Sequence, residues 1–250
     1  MILHIPHSST NTLEYKIQHR DRELLRMTDH YTDELYSYDK ASRIVLGVSR
    51  LICDVERFED DALESMSRFG MGVCYTKNTQ GDLLRNVSDA DRKNILESFS
   101  YPHHQNLSDG VEKELERQGS ALVIDCHSFP DEAYYFNSDF GEKRPDICLG
   151  TDDFHTPKKL LEDVKKFFLS KGYTVKVNTP FSGTMVPLKY YKKEKSVHSI
   201  MIELNRKLYM DKDAHKTEHF YTLQEELSAL LTQIHKEYST KIQPLNNNIS

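Results

Sequence analysis

Four side chains, far apart along the chain, are of the types that hold a metal and move protons: His7, Asp29, His127 and Glu203. Three of them follow apolar runs. Residues 3–6 lead into His7, residues 122–124 into Asp125 and His127, and residues 200–202 into Glu203. Asp29 follows Thr28 in a stretch whose early acids suit a helix N-terminus. Two imidazoles and a carboxylate make a catalytic zinc site that leaves one position for water. A second carboxylate, outside the metal shell, can take a proton from that water. No short motif such as H-E-x-x-H occurs, so this chemistry needs the fold to gather distant residues. Plainer readings stand beside it. His127 alone reads as a core histidine bonded to Asp125, and His7, next to Ser8 and Ser9, as the cap of a turn. Glu203 resists such a reading, because an acid ending an apolar strand needs a partner to offset its desolvation.

The elements that must position these residues are those of an α/β protein. Residues 122–124 read as a buried strand, apolar on both faces, as in the middle of a parallel sheet. Polar groups at the end of such a strand stand at the carboxyl edge, where open α/β folds bind ligands. Further strands are expected at 3–6, 43–48, 51–55, 147–149, 174–177 and 199–202. Helices are expected at 22–27, over 29–36 with Thr28 as N-cap, from Asp89, and from Pro102 to near Gly119. Two more are expected from Pro157 to Gly172 and over 219–238. Residues 59–86 read as irregular. No repeat and no linker divides the chain. A single domain over 1–240 is expected, with 241–250, rich in asparagine, as a frayed tail.

Composition narrows the function. The chain has 250 residues, 38% hydrophobic and 29% charged, enough for one large soluble domain with a full core. A net charge of −6 argues against a nucleic-acid or acidic-membrane binder, while leaving room for a local basic pocket and a small acidic substrate. Arg57, Arg85 and Arg206 are candidates for gripping a substrate carboxylate, since a guanidinium matches a carboxylate two-pronged. The competing reading of each is a structural pair with Asp54, Asp60 or Asp61. No apolar run approaches the ~20 residues of a membrane span. The four cysteines lie far apart, and the first residues do not read as a secretory signal, so a reducing, cytoplasmic setting is expected.

The segments HIPHSS, TDHYTDEL, DVERFEDD, DCHSFP, PDICLGTDDFHTP, PFSGTMVP and IMIELNRKLYM, in that order from His4 to Met210, resemble the N-formylglutamate amidohydrolase family. That family is similar in fold to zinc carboxypeptidases and N-acetylmuramoyl-L-alanine amidases. The resemblance implies a phosphorylase/hydrolase-like, zinc-peptidase-like fold: a mostly parallel, twisted mixed sheet flanked by helices. It implies zinc at the carboxyl edge, with His7 and His127 as ligands and Glu203 as general base. For the third ligand it points to Asp29, with Glu34 and Glu56 as rivals; Glu56 stands where many family members carry Asn. His104, Gly183, Thr184, Asn205 and the three arginines become candidate substrate-binding residues. The implied reaction turns N-formyl-L-glutamate and water into formate and L-glutamate. Two alternatives stay open: a zinc amidase or carboxypeptidase acting on a peptide or cell-wall fragment, and a catalytically silent metabolite-binding relative. Oligomeric state is left open.

Overall fold

The structure, a computed structural model, describes residues 1–238. The tail expected at 241–250 lies outside the described residues. Six strands form one sheet: β1 Ile2–Ile5, β2 Ser42–Val45, β3 Ala121–Phe129, β4 Ile147–Gly150, β5 Val175–Val177 and β6 Val197–Asn205. Their order is β2-β1-β3-β6-β4-β5. The first four in that order run parallel; β4 lies antiparallel to β6 and pairs in parallel with β5. The helices are α1 Arg20–Met27, α2 Thr32–Leu35, α3 Asp89–Ile95, α4 Tyr101–Gln118, α5 Lys158–Ser170 and α6 His219–Tyr238. This is the expected α/β architecture, a mixed sheet flanked by helices. No described helix is long and apolar enough to cross a membrane.

Strand periodicity gives the sheet two different faces. On one face Leu3, Ile5, Leu122, Ile124, Cys126, Ile200, Ile202 and Leu204 form a buried cluster with α5 and α6. Leu223, Leu227, Leu230, Leu231 and Ile234 of α6 supply its outer wall. The opposite face starts in the same way, with Ile2, Ala121, Val123 and Val197 packed on Leu107 and Val111 of α4. Toward the carboxyl ends that second face turns polar. His4, Asp125, His127, Ser199 and Glu203 are alternate residues of the same strands, and all are buried. Register then sets His4 beside Asp125 and His127 beside Glu203.

One bond ties the apolar layer to this polar edge. The hydroxyl of the fully buried Tyr36 donates to the carbonyl of Ile202, at 2.8 Å, one residue before Glu203. Tyr36→Phe is expected to lower stability by about 1 kcal/mol in urea unfolding, the net value of one buried hydrogen bond.

Three expectations differ from the structure. Residues 51–55 do not form a strand, although all are buried; they follow a tight turn in which Ile52 and Cys53 N–H both donate to the Ser49 carbonyl. Its apolar residues alone made that stretch look like sheet. Thr28 is not an N-cap but the C-terminal cap of α1, its N–H bonding to Leu24 O. Tyr31 takes a left-handed conformation (φ 64°), so α2 starts only at Thr32 and Asp29 sits in the turn before it. The helices expected from Asp89 and Pro102 merge, because a π-helical segment over Leu96–Ser100 joins α3 to α4 without a break.

Candidate active site

The turn that displaces Asp29 from a helix also aims it at the sheet edge. Its N–H donates to the carbonyl of His7 at 3.0 Å, which locks the two backbones together just past the end of β1. β3 delivers His127 from the other side. One ligand atom from each of His7, Asp29 and His127 lies within 4.8 Å of the others, and all three residues are buried.

Each imidazole is held through the nitrogen it does not offer to this cluster. Nε2 of His7 faces Asp54 Oδ1 at 2.9 Å, and Nε2 of His127 faces Asp125 Oδ1 at 3.0 Å. With Nε2 as the donor in both rings, an assignment made from these carboxylates, each Nδ1 turns toward Asp29. His127 Nδ1 lies 3.2 Å from Asp29 Oδ2, and His7 Nδ1 lies 3.7 Å from it. His7 Nδ1 is buried and has no hydrogen-bond partner. Carboxylates behind ligand histidines are the usual outer layer of a metal site, fixing tautomer and ring angle.

The charge balance points the same way. Asp29, Asp54, Glu56, Asp125 and Glu203 crowd an edge where Arg50, Arg57 and Arg206 are the guanidiniums. Burial opposes the charge on His127, but Glu56 and Asp125 outweigh it and raise its pKa well above the ordinary value. Burial likewise opposes ionisation of Asp29, yet His127, His7 and Arg206 hold it well below the usual carboxylate range. A proton on His127 thus occupies the place that suits a cation. Two nitrogens and a carboxylate oxygen are a fitting donor set for zinc.

Glu203 differs from the other acids. Burial pushes its pKa up to about 7; His127 opposes the rise, and Asp29, Glu56 and Asp125 add to it. Its Oε2 is buried and unpartnered. A carboxyl group poised near neutrality beside a cation site can both take and return a proton.

Behind the cluster stands a second layer that sequence reasoning did not assign. His4 Nδ1 lies 2.7 Å from Asp125 Oδ1, and its Nε2 lies 2.8 Å from His103 Nε2. His4, Glu56, Asp125 and His127 also come within 4.8 Å of one another. The short contacts that His4 and His127 make with Asp125 mark this group as support rather than a second open site. Arg50 binds Asp54 Oδ2 through Nε and Nη2 at 3.2 and 2.8 Å, and Tyr75 OH donates to the same oxygen at 2.8 Å. One signal for this layer was present: Asp125 is two residues from His127, hence on the same strand face.

The remaining candidates are dispersed. Arg206 is committed to the fold, with Nη2 on Asp29 Oδ1 at 2.9 Å, Nε on Ser128 Oγ and Nη1 on Arg26 O. Arg85 donates to the carbonyls of Tyr75 and Ile52 and lines a groove of about 1110 Å³, which no triad residue borders. Asn205 is buried and its amide holds Asp131 and Pro145 O. Glu34 is exposed and pairs with Lys216. Glu56 does stand over the triad, with Oε1 3.2 Å from His127 Nε2 and Oε2 3.8 Å from His7 Nδ1. Arg57 reaches Asp54 only at 3.7 Å, and its Nε is buried without a partner. His104 lies on α4 beside His103, half-buried. Gly183 and Thr184 belong to a loop pinned to the polar face, where Met185 N–H donates to Asp125 Oδ2 at 2.8 Å and Thr184 Oγ1 lies 2.6 Å from Ser199 Oγ. Gly150 permits that approach, since a Cβ there would meet the Gly183 carbonyl at 2.2 Å.

A sequence model of the N-formylglutamate amidohydrolase family matches residues 1–210. The N-formylglutamate deformylase of Pseudomonas putida is 27% identical over 193 residues, which are 74% of this chain and 71% of that protein. The crystal structure of N-formylglutamate amidohydrolase from Ralstonia eutropha JMP134 matches with a TM-score of 0.84 at 22% identity, over 96% of this chain and 94% of that one. A gene product of Agrobacterium tumefaciens matches with a TM-score of 0.60 at 18% identity, over 94% and 91% of the two chains. The two structural likenesses are likenesses of fold.

Proposed function

Since the chain belongs to the N-formylglutamate amidohydrolase family, we propose that it hydrolyses N-formyl-L-glutamate to formate and L-glutamate, with zinc held by His7, Asp29 and His127. The observation that carries this reading is the pair of buried, unpartnered atoms, His7 Nδ1 and Glu203 Oε2, at one carboxylate-rich sheet edge. A divalent ion bound there supplies Lewis-acid polarisation and lowers the pKa of water from about 15.7 towards about 7.

The protein's own groups do the rest. Glu203 takes a proton from the attacking water as its oxygen bonds to the formyl carbon. As the C–N bond breaks, Glu203 returns that proton to the departing amine nitrogen, so one carboxyl group acts as base and then acid. Asp125 and Asp54 keep the two imidazoles turned with Nδ1 forward. Arg57, whose buried Nε has no hydrogen-bond partner, would hold the α-carboxylate of the substrate. The loop at Gly183 and Thr184, pinned to Asp125 and Ser199, would border the substrate.

Purified protein is expected to release formate from N-formyl-L-glutamate faster than it cleaves N-acetyl-L-glutamate or short peptides, with about one zinc bound per chain. Turnover of peptides alone would replace this reading with a peptidase. Ligand binding without metal and without turnover would make the protein a silent relative.

A further inference from the structure

We propose that His103, in the first turn of α4, is a positioning residue for the metal ligand His127. It donates Nε2–H to His4, which fixes the tautomer in which His4 donates to Asp125. Asp125 in turn holds His127 with Nδ1 toward Asp29. This rests on the hydrolase reading above and deepens it.

The helix pattern brings His103 to this place. His103, Leu107 and Val111 follow one another at helical spacing and are the buried residues of α4. Leu107 and Val111 pack on Ile2 and Val123, the apolar start of this sheet face. One turn nearer the helix N-terminus, His103 meets His4, the next residue of β1 on that face, where the face turns polar. The π-helical segment over Leu96–Ser100 lies just before it. Such a turn carries an extra residue and re-aims the side chains that follow, a device frequent at functional sites.

The protons along this row of contacts are fixed from its two ends. Burial opposes ionisation of Asp125, yet His127 and His4 hold it below the usual carboxylate range, so it only accepts. Its Oδ1 lies 2.7 Å from His4 Nδ1 and 3.0 Å from His127 Nε2, and its Oδ2 takes Met185 N–H at 2.8 Å. Both ring nitrogens facing it therefore carry protons. Glu56 Oε1, 3.7 Å from His4 Nδ1, is too distant to share that proton. At the far end, burial pushes the His103 pKa down to about 2, and His4 and His104 add to the fall. His103 is thus neutral, with one N–H. His4 is neutral as well, because the carboxylates at this edge are matched by the guanidiniums and by the cation at the triad. With its proton on Nδ1, His4 has a bare Nε2, and that atom lies 2.8 Å from His103 Nε2. Two bare nitrogens would repel there, so His103 holds its proton on Nε2. Without this donor, His4 Nε2 is buried and unpaired, and His4 gains by turning or by moving its proton away from Asp125. Asp125 then loses its shortest contact, and His127 the partner that orients it.

The test has two parts. Heteronuclear NMR of isotope-labelled histidines reads each tautomer in the wild type, with zinc removed and with zinc bound; the resonances lost in His103→Gln assign His103. His4 is expected as the neutral Nδ1–H form and His103 as the neutral Nε2–H form in both. A proton on His103 Nδ1, or a doubly protonated His4, overturns the assignment. Chelator competition then measures zinc affinity in the wild type, His103→Phe and His103→Gln. Phenylalanine keeps a ring but no donor, and affinity should weaken by about 10–100-fold, the usual cost of losing an outer partner of a metal ligand. Glutamine can place an amide N–H where Nε2 stands and should restore most of that loss. Equal losses in the two variants, or wild-type affinity in His103→Phe, also overturn the proposal. The tautomers need only a folded wild type, so they decide the matter if His103→Phe does not fold. Zinc affinity that follows this pattern without any formate release keeps His103 in its role and removes the reaction instead.

Discussion

Glu203→Gln is expected to keep its zinc and lose formate release by about 10²–10⁴-fold, the range that a positioned acid–base group contributes. The amide matches the carboxyl group in shape, so KM should move far less than kcat. Quenched-flow formate release beside metal analysis of the same preparation reads both. Wild-type turnover in the variant would remove Glu203 from the reaction. The same substitution makes a second demand on the metal-free protein. Burial raises the Glu203 pKa from 4.5 to about 7. Between those values the folded chain keeps a proton that the unfolded chain has released, so stability falls as pH rises through this window. Glutamine carries no such proton. With metal removed, the variant should melt with the wild type near pH 4 and above it at pH 8. A melting difference independent of pH would show that Glu203 is not held protonated.

Removing the metal is expected to abolish formate release, and restoring zinc to recover it. Its pH dependence tests the site's electrostatics more sharply. Burial lowers the pKa of His127, but Glu56 and Asp125 raise it well above the ordinary histidine value. The metal-free ring therefore carries a proton at neutral pH, and an ion must displace it. Apparent zinc affinity should then weaken by about tenfold per pH unit on acidification for each proton displaced. Competition with a chelator at pH 6 and pH 8 measures this. Affinity that does not change between the two would mean that no histidine proton leaves on binding, and the proposed ligand set would fall.

His127 and Glu203 could be picked out in the sequence because each ends an apolar run, and such runs announce buried strands. Alternation carried more than was taken from it. Residues 122–124 looked apolar on both faces, yet Asp125 and His127 share the face of Val123 while Cys126 belongs with Leu122 and Ile124. His4 could not be found locally. Its importance comes from standing opposite Asp125 in the parallel ladder, 121 positions away. Arg50 was hidden for a different reason, since buried residues in a turn imitate a strand when only apolarity is read, and Asp54 stood only as a possible partner for an arginine. Arg206 looked like a grip for substrate. An arginine at a strand end can serve either purpose, and what decides is Asp29, whose buried charge needs the guanidinium. Asp29 itself was suggested by resemblance, and the left-handed Tyr31 that places it left no pattern to read.

His127 and Glu203 are direct neighbours across two parallel strands. Their backbone separation is therefore the roughly 4.8 Å rung of any β-ladder, a ruler built into the polymer and independent of the side chains packed beneath it. Drift in the hydrophobic layer can weaken the molecule without altering that gauge. A slip of β6 by a single residue would do the reverse: it would swing Glu203 through the sheet to the opposite side and bring Leu204 to the polar edge, with hardly a hydrogen bond lost.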